Sequence, residues 1–176
     1  MLLLLLPLGH LALAQEPFRV RAVATELNEG VYHLDSVIDY RLSEPLYEAL
    51  LNGVELDFEV QVTIERVRDW MWNETLATVS QRYQIKYYAF SRLFILTHQN
   101  TGVQQSFARI DSALEALGEI YDLPLIDATL VTPGQPHVAR LRARLIVESL
   151  PLPLWVRSLG SRDWAPASDW YAWTFP

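Results

Sequence analysis

Two tryptophans two residues apart, Trp70 and Trp72 in "DWMWNE", are the side chains best suited to recognition at a surface. In an extended chain that spacing puts both on one face. Exposed indoles stack on sugar rings and anchor peptide partners. The pair falls between two long alternating segments, where a loop is expected, so both are expected to be exposed. A second pattern is the stripe Arg140, Arg142 and Arg144 in "HVARLRARLIVE". It could bind an anion, but the preferred reading is that it pairs with the acidic face of residues 55 to 59 on a neighbouring strand. Each such exposed pair is worth a few tenths of a kcal/mol, up to about 1. A third pattern is Glu55, Asp57 and Glu59, which share a face and could hold calcium or act as acid and base. A solvated face is the preferred reading here, because a glycosidase carboxylate pair lies across a cleft rather than in a row on one strand.

Other chemistry has little to stand on. His33, His98 and His137 lie far apart, with no HxH or HExxH spacing. Isolated strand histidines are expected to be surface or hydrogen-bonded residues, and no metal site is expected. The absence of cysteine excludes disulfides, thiolate-held zinc, iron–sulfur sites and thiol catalysis. No GxSxG, Walker loop or GxGxxG occurs, and seven glycines make phosphate-cradling loops hard to build. No catalytic residue and no cofactor are assigned, and the chain is not read as an enzyme.

These side chains must be positioned by strands. "VELDFEVQVTIER" alternates Val54, Leu56, Phe58, Val60, Val62 and Ile64 with polar residues, and "HVARLRARLIVE" alternates Leu141, Ala143, Leu145 and Val147 with the arginines. Period two means one apolar and one wet face. "VYHLDSVIDYRL" places Tyr32, Leu34, Ile38, Tyr40 and Leu42 together, and "TVSQRYQIKYYAF" does so for Val79, Tyr83, Ile85 and Tyr87. "RLFILTHQ" forms a hairpin with the latter across "AFSR", and "FRVRAVATEL" is the first strand. Two segments change period. "SEPLYEALLNG" has Ser43 as N-cap, Pro45 in the first turn and Gly53 past the end. "SFARIDSALEALGEIY" carries Ile110, Ala113, Leu114, Leu117 and Tyr121 at helical spacing, which predicts a helix around residues 108 to 121. The tail "DWYAWTF" alternates aromatics on both faces and reads as a last strand packed as core.

The bulk numbers agree. At 176 residues the chain is long enough for a real core in a single domain. A net charge of -7 disfavours nucleic acid and anionic membrane surfaces. "MLLLLLPLGHLALAQE" has the apolar length and the A-x-A ending of a secretory signal. Residues 1–14 are therefore expected to be a signal peptide cleaved near Ala14, leaving a β-rich domain over 15–176 in the periplasm.

Several segments together carry a resemblance: "YRLSEPLYEALLNGVELDF", "QRYQIKYYAFSRLFILTHQNTG", "SFARIDSALEALGEI", "LIDATLVTPGQPH", "SLPLPL" and "DWYAWTF". In order and spacing the chain from about Phe18 onward resembles a proteobacterial envelope family of unknown function, domain-of-unknown-function family 4390. The resemblance implies no activity and no catalytic residues. It implies a gene neighbourhood shared with a membrane sensor kinase of the nitrogen-regulation type and an rRNA methyltransferase, which hints at envelope sensing.

The sequence thus predicts a mainly β chain: an antiparallel β-sandwich-like single domain with two short amphipathic helices in its connections. Its expected function is that of an exported, non-catalytic binding or accessory protein. The expected partner is another envelope protein, such as a membrane sensor kinase, with a small ligand or glycan next. The alternatives are a small outer-membrane β-barrel, a glycan-binding protein, or a carboxylate-based hydrolytic enzyme. That enzyme would bring two acids from different strands into one pocket.

Overall fold

Strand β3 (Leu56–Arg66) alternates apolar and polar residues along its length and lies inside the larger sheet. Its inward residues Leu56, Phe58, Val60, Val62 and Ile64 are essentially without solvent contact. A fully buried side chain of this size stabilises by about 1.5–3 kcal/mol. A strand buried this deeply must satisfy its backbone N–H and C=O groups on both edges, and β3 lies between β4 (Glu74–Tyr88) and β8 (His137–Leu145).

The computed structural model describes residues 16–151, 153, 154, 161 and 163–176. The expected signal segment 1–14 and Trp155 lie outside the described residues. Two antiparallel sheets face one another. The larger has the order β6–β5–β4–β3–β8–β9, where β5 is Leu93–His98, β6 is Val103–Phe107 and β9 is Tyr171–Phe175. The smaller has the order β1–β2–β7, with β1 Phe18–Asn28, β2 Val31–Tyr40 and β7 Glu119–Asp127. Helices α1 (Glu44–Leu51) and α2 (Ile110–Gly118) lie in the connections. This is the sandwich the alternation predicts. The strands form two open sheets with edges, not a closed barrel.

Aromatic rings join the layers. Phe18, Tyr40 and Phe58 pack with centroids 4.8–6.0 Å apart, and Tyr32 meets Phe175 edge-on at 4.9 Å. The β1–β2 hairpin turns on Glu29 and Gly30, both at positive φ (48° and 85°). Two such residues in a row match the twist of the flanking strands. Strand β5 reaches only Tyr83–Tyr88 of β4. Just beyond it, Asn100 takes a strand's place: its Oδ1 accepts from Arg82 N and its Nδ2 donates to Ser80 O.

Three details differ from the sequence expectations. The second helix is shorter than 108–121. Residues 103–107, including Ser106, pair with β5, and residues from Glu119 onward pair with β2. Strand pairing outweighs the helical spacing at both ends. The helix stops where Gly118 meets β2: a Cβ there would lie 2.0 Å from the Ile38 carbonyl oxygen. Ser43 precedes α1 but makes no side-chain cap, because its hydroxyl donates to Asp163 O at 2.6 Å. In the tail, Trp164 and Phe175 are core residues, but Trp170, just before β9, is half exposed, and Tyr171 is exposed on β9, an edge strand.

Candidate functional site

The connection between β3 and β4 projects Trp70, Met71 and Trp72 from one end of the sandwich. They are 97%, 68% and 94% exposed. The base of this hairpin is held by charge. Arg66 and Arg68 both donate to the Glu74 carboxylate, Arg66 also reaches Thr132 at 2.9 Å, and Asn73 donates to Glu65 at 3.0 Å. Val67 N bonds to Pro136 O at 2.9 Å. A braced stem therefore carries a wet apolar tip. Trp, Met and Arg are the residue types enriched at protein interfaces.

The three arginines of β8 face outward, each with a partner. Arg144 lies opposite Glu59 and bonds to it at 2.8 Å, with Glu148 at 3.8 Å. Arg140 lies 3.7 Å from Glu65. Arg142 donates to Ser168 O at 3.2 Å and sits over the Trp170 ring at 5.8 Å.

In the row Glu55, Asp57 and Glu59 each carboxylate has a partner; Glu55 keeps access to water, as expected, and Glu59 does not. Glu55 pairs with Lys86, and Asp57 accepts from Gln84 and Gln99 at 2.9 and 3.0 Å. Glu59 lies in register with Arg82 on one side and Arg144 on the other, and is only 6% exposed. Its two guanidinium neighbours make that burial tolerable.

The histidines have distinct surroundings. His137 is buried at the start of β8. His98 stacks on Tyr83 with centroids 4.6 Å apart and planes 13° apart. Gln81 Oε1 accepts from its Nε2 at 2.6 Å, which leaves Nδ1 to accept from the Thr101 hydroxyl at 3.1 Å. Burial holds the His98 pKa below its ordinary value and raises that of Tyr83.

His33 belongs to a cluster that sequence reasoning missed. Between the pairs Leu34↔Leu123 and Ser36↔Ile120 the strand β7 has one residue more than β2, a bulge. The bulge puts Asp122 at φ 51°. Its carboxylate reaches His33 Nδ1 at 2.6 Å, and its N–H donates to Asp35 Oδ1 at 2.8 Å. Glu26 lies opposite His33 on β1. Glu26, Asp35 and Asp122, from three strands, line one cavity of about 370 Å³. The only local signal was His33 two residues before Asp35; nothing in the sequence marks the bulge that brings Asp122. Among the described residues no group of three or more His, Asp or Glu side chains is placed to hold a metal ion.

No helix among the described residues is long and apolar enough to cross a membrane. No curated protein and no solved structure matches the chain. A family model does match, and the match spans both sheets, both helices and the projecting hairpin: over residues 15–174 the chain fits the family described as Domain of unknown function (DUF4390), and it belongs to that family.

Proposed function

We propose that this chain is an exported, non-catalytic binding protein of the bacterial envelope, an accessory to another envelope protein such as a membrane sensor kinase. The observation that supports this reading is the Trp70–Met71–Trp72 tip. Two nearly fully exposed indoles on a braced hairpin are a standing cost in water, recovered when a partner covers them. A buried interface tryptophan is commonly worth about 2 kcal/mol or more. The apolar run ending in Ala12-Leu13-Ala14 supports export. The arginine stripe supports no anion site, because its members are engaged with Glu59, Glu65, Ser168 and Trp170.

The test is photo-cross-linking in cells from a reactive residue at position 71, with fractionation in parallel. The expected result is periplasmic protein joined to one membrane protein in stoichiometric amount, with the product lost in Trp70→Ala/Trp72→Ala. Folded periplasmic protein that captures nothing, or a product indifferent to those substitutions, overturns the protein-partner reading. Retention of the chain in the cytoplasm overturns export.

A further inference from the structure

A cleft of about 370 Å³ opens between the two sheets, where the edge strand β7 and helix α2 face β4, β5 and β6. Its floor is apolar: Leu96, Ile120 and Leu123. One wall is the stacked Tyr83–His98 pair, locked by Gln81 and Thr101. An apolar cavity of this volume with a few fixed polar groups has the character of a ligand site. Tyr121, 67% exposed, stands at its rim and also lines the neighbouring cavity of Glu26, His33, Asp35 and Asp122. The sequence expectation placed Tyr121 on a helix stripe; the bulge in β7 puts it between two cavities instead.

The two compartments differ in chemistry. The first is apolar and aromatic, with one carboxylate, Glu119. The second is acidic. Neither is lined by a lysine or arginine, and His33 is engaged by Asp122. Among the described residues the carboxylates of Glu26 and Glu119 have no hydrogen-bond or ion-pair partner. An exposed aromatic face between carboxylates favours a cation.

We propose that the paired cavities bind an extended peptide segment in which an apolar or aromatic residue adjoins a lysine or arginine. The apolar side chain fills the inter-sheet cleft, and the cation lies among Glu26, Asp35 and the Tyr121 ring. Successive side chains of an extended chain point to opposite sides, so two neighbouring residues straddle Tyr121. Pro124 and the bulge interrupt the edge of β7, so recognition runs through side chains rather than through an added strand. The inference rests on the reading of the chain as a binding protein, but it uses a surface other than the hairpin tip.

The test is fluorescence anisotropy with a labelled peptide alternating leucine and lysine, against the same peptide with glutamate for lysine. The expected result is one basic peptide bound per chain and no binding of the acidic one. Tyr121→Ala, the double variant Glu26→Gln/Glu119→Gln, and Val103→Arg at the cleft wall each weaken binding by about tenfold. All these positions are exposed, and melting curves check that the variants fold. Equal binding of both peptides, or binding unmoved by the variants, overturns the proposal. Spermidine or phenylethylamine binding as tightly as the peptide also overturns it, in favour of a small amine. If the peptides fail while cross-linking from position 71 succeeds, only this inference falls; if both fail, the binding-protein reading falls with it.

Discussion

Trp173 donates its indole N–H to Thr25 Oγ1 at 3.1 Å, and so ties β9, at the edge of one sheet, to β1, at the edge of the other. The bond closes one long side of the sandwich. Trp173→Phe keeps an aromatic ring and removes the donor, and is expected to cost about 1 kcal/mol. Trp173→Ala also removes the packing and is expected to cost about 3 kcal/mol. Urea denaturation of both variants checks the order; a Trp173→Phe variant as stable as the wild type would show that the hydrogen bond contributes nothing.

Gly118 is required where α2 ends against β2. A methyl group there would collide with the Ile38 carbonyl, a backbone atom that cannot swing away. Gly118→Ala is therefore expected to destabilise by about 1–3 kcal/mol, through separation of helix and strand. Gly53 is the contrast: its φ is 86° but a Cβ there meets nothing within 4 Å. Gly53→Ala should cost about 1 kcal/mol, from backbone strain alone. The two variants also differ in kind, since only Gly118→Ala should perturb amide signals of β2 in an NMR spectrum.

Glu59 is held between Arg82 at 3.6 Å and Arg144 at 2.8 Å. Glu59→Gln is expected to cost about 1.5–3 kcal/mol, as for hydrogen bonds to charged groups. The lower end applies, because both arginines keep access to water and can turn outward. Asp57→Asn, whose partners are the amides of Gln84 and Gln99, should cost less. Chemical denaturation at neutral pH separates the two.

The His98 pKa is lowered from 6.5 by burial. As pH falls through the unfolded value the unfolded chain gains a proton there before the folded chain does. His98 thus contributes its full stability above about pH 6.5 and loses it as pH drops toward the folded value. Protonation of Nδ1 would also end its acceptance from Thr101. Melting temperature should fall as pH is lowered through about 6.5, and less steeply in His98→Gln. An NMR titration should place the His98 midpoint below 6.5.

The sheets were legible wherever one face of a strand is buried and the other wet. β3, β8 and most of β2 show the alternation, and inward residues such as Val60, Leu141 and Leu34 are core. β7 was not legible, because its bulge breaks the period: Ile120 and Leu123 are both buried although three residues apart, a helical interval. β6 was missed because its five residues are mostly exposed and carry no apolar signal. The exposure of Trp70 and Trp72 was legible from their place between two long strands. The His33–Asp122 contact was not, since it joins residues 89 apart through a local irregularity.

The position of β3 has a consequence for the order in which the chain can fold. Its β4 side is a local hairpin, but its other edge waits for β8, with Phe58 opposite Leu145. β2 likewise waits for β7. Closing such distant pairings is slow, because loop entropy is lost before contacts reward it. A chain still emerging from the ribosome therefore holds a one-sided meander, with β3 paired to β4 on one edge and open on the other. Until β8 arrives, that open edge is a site where another chain could pair.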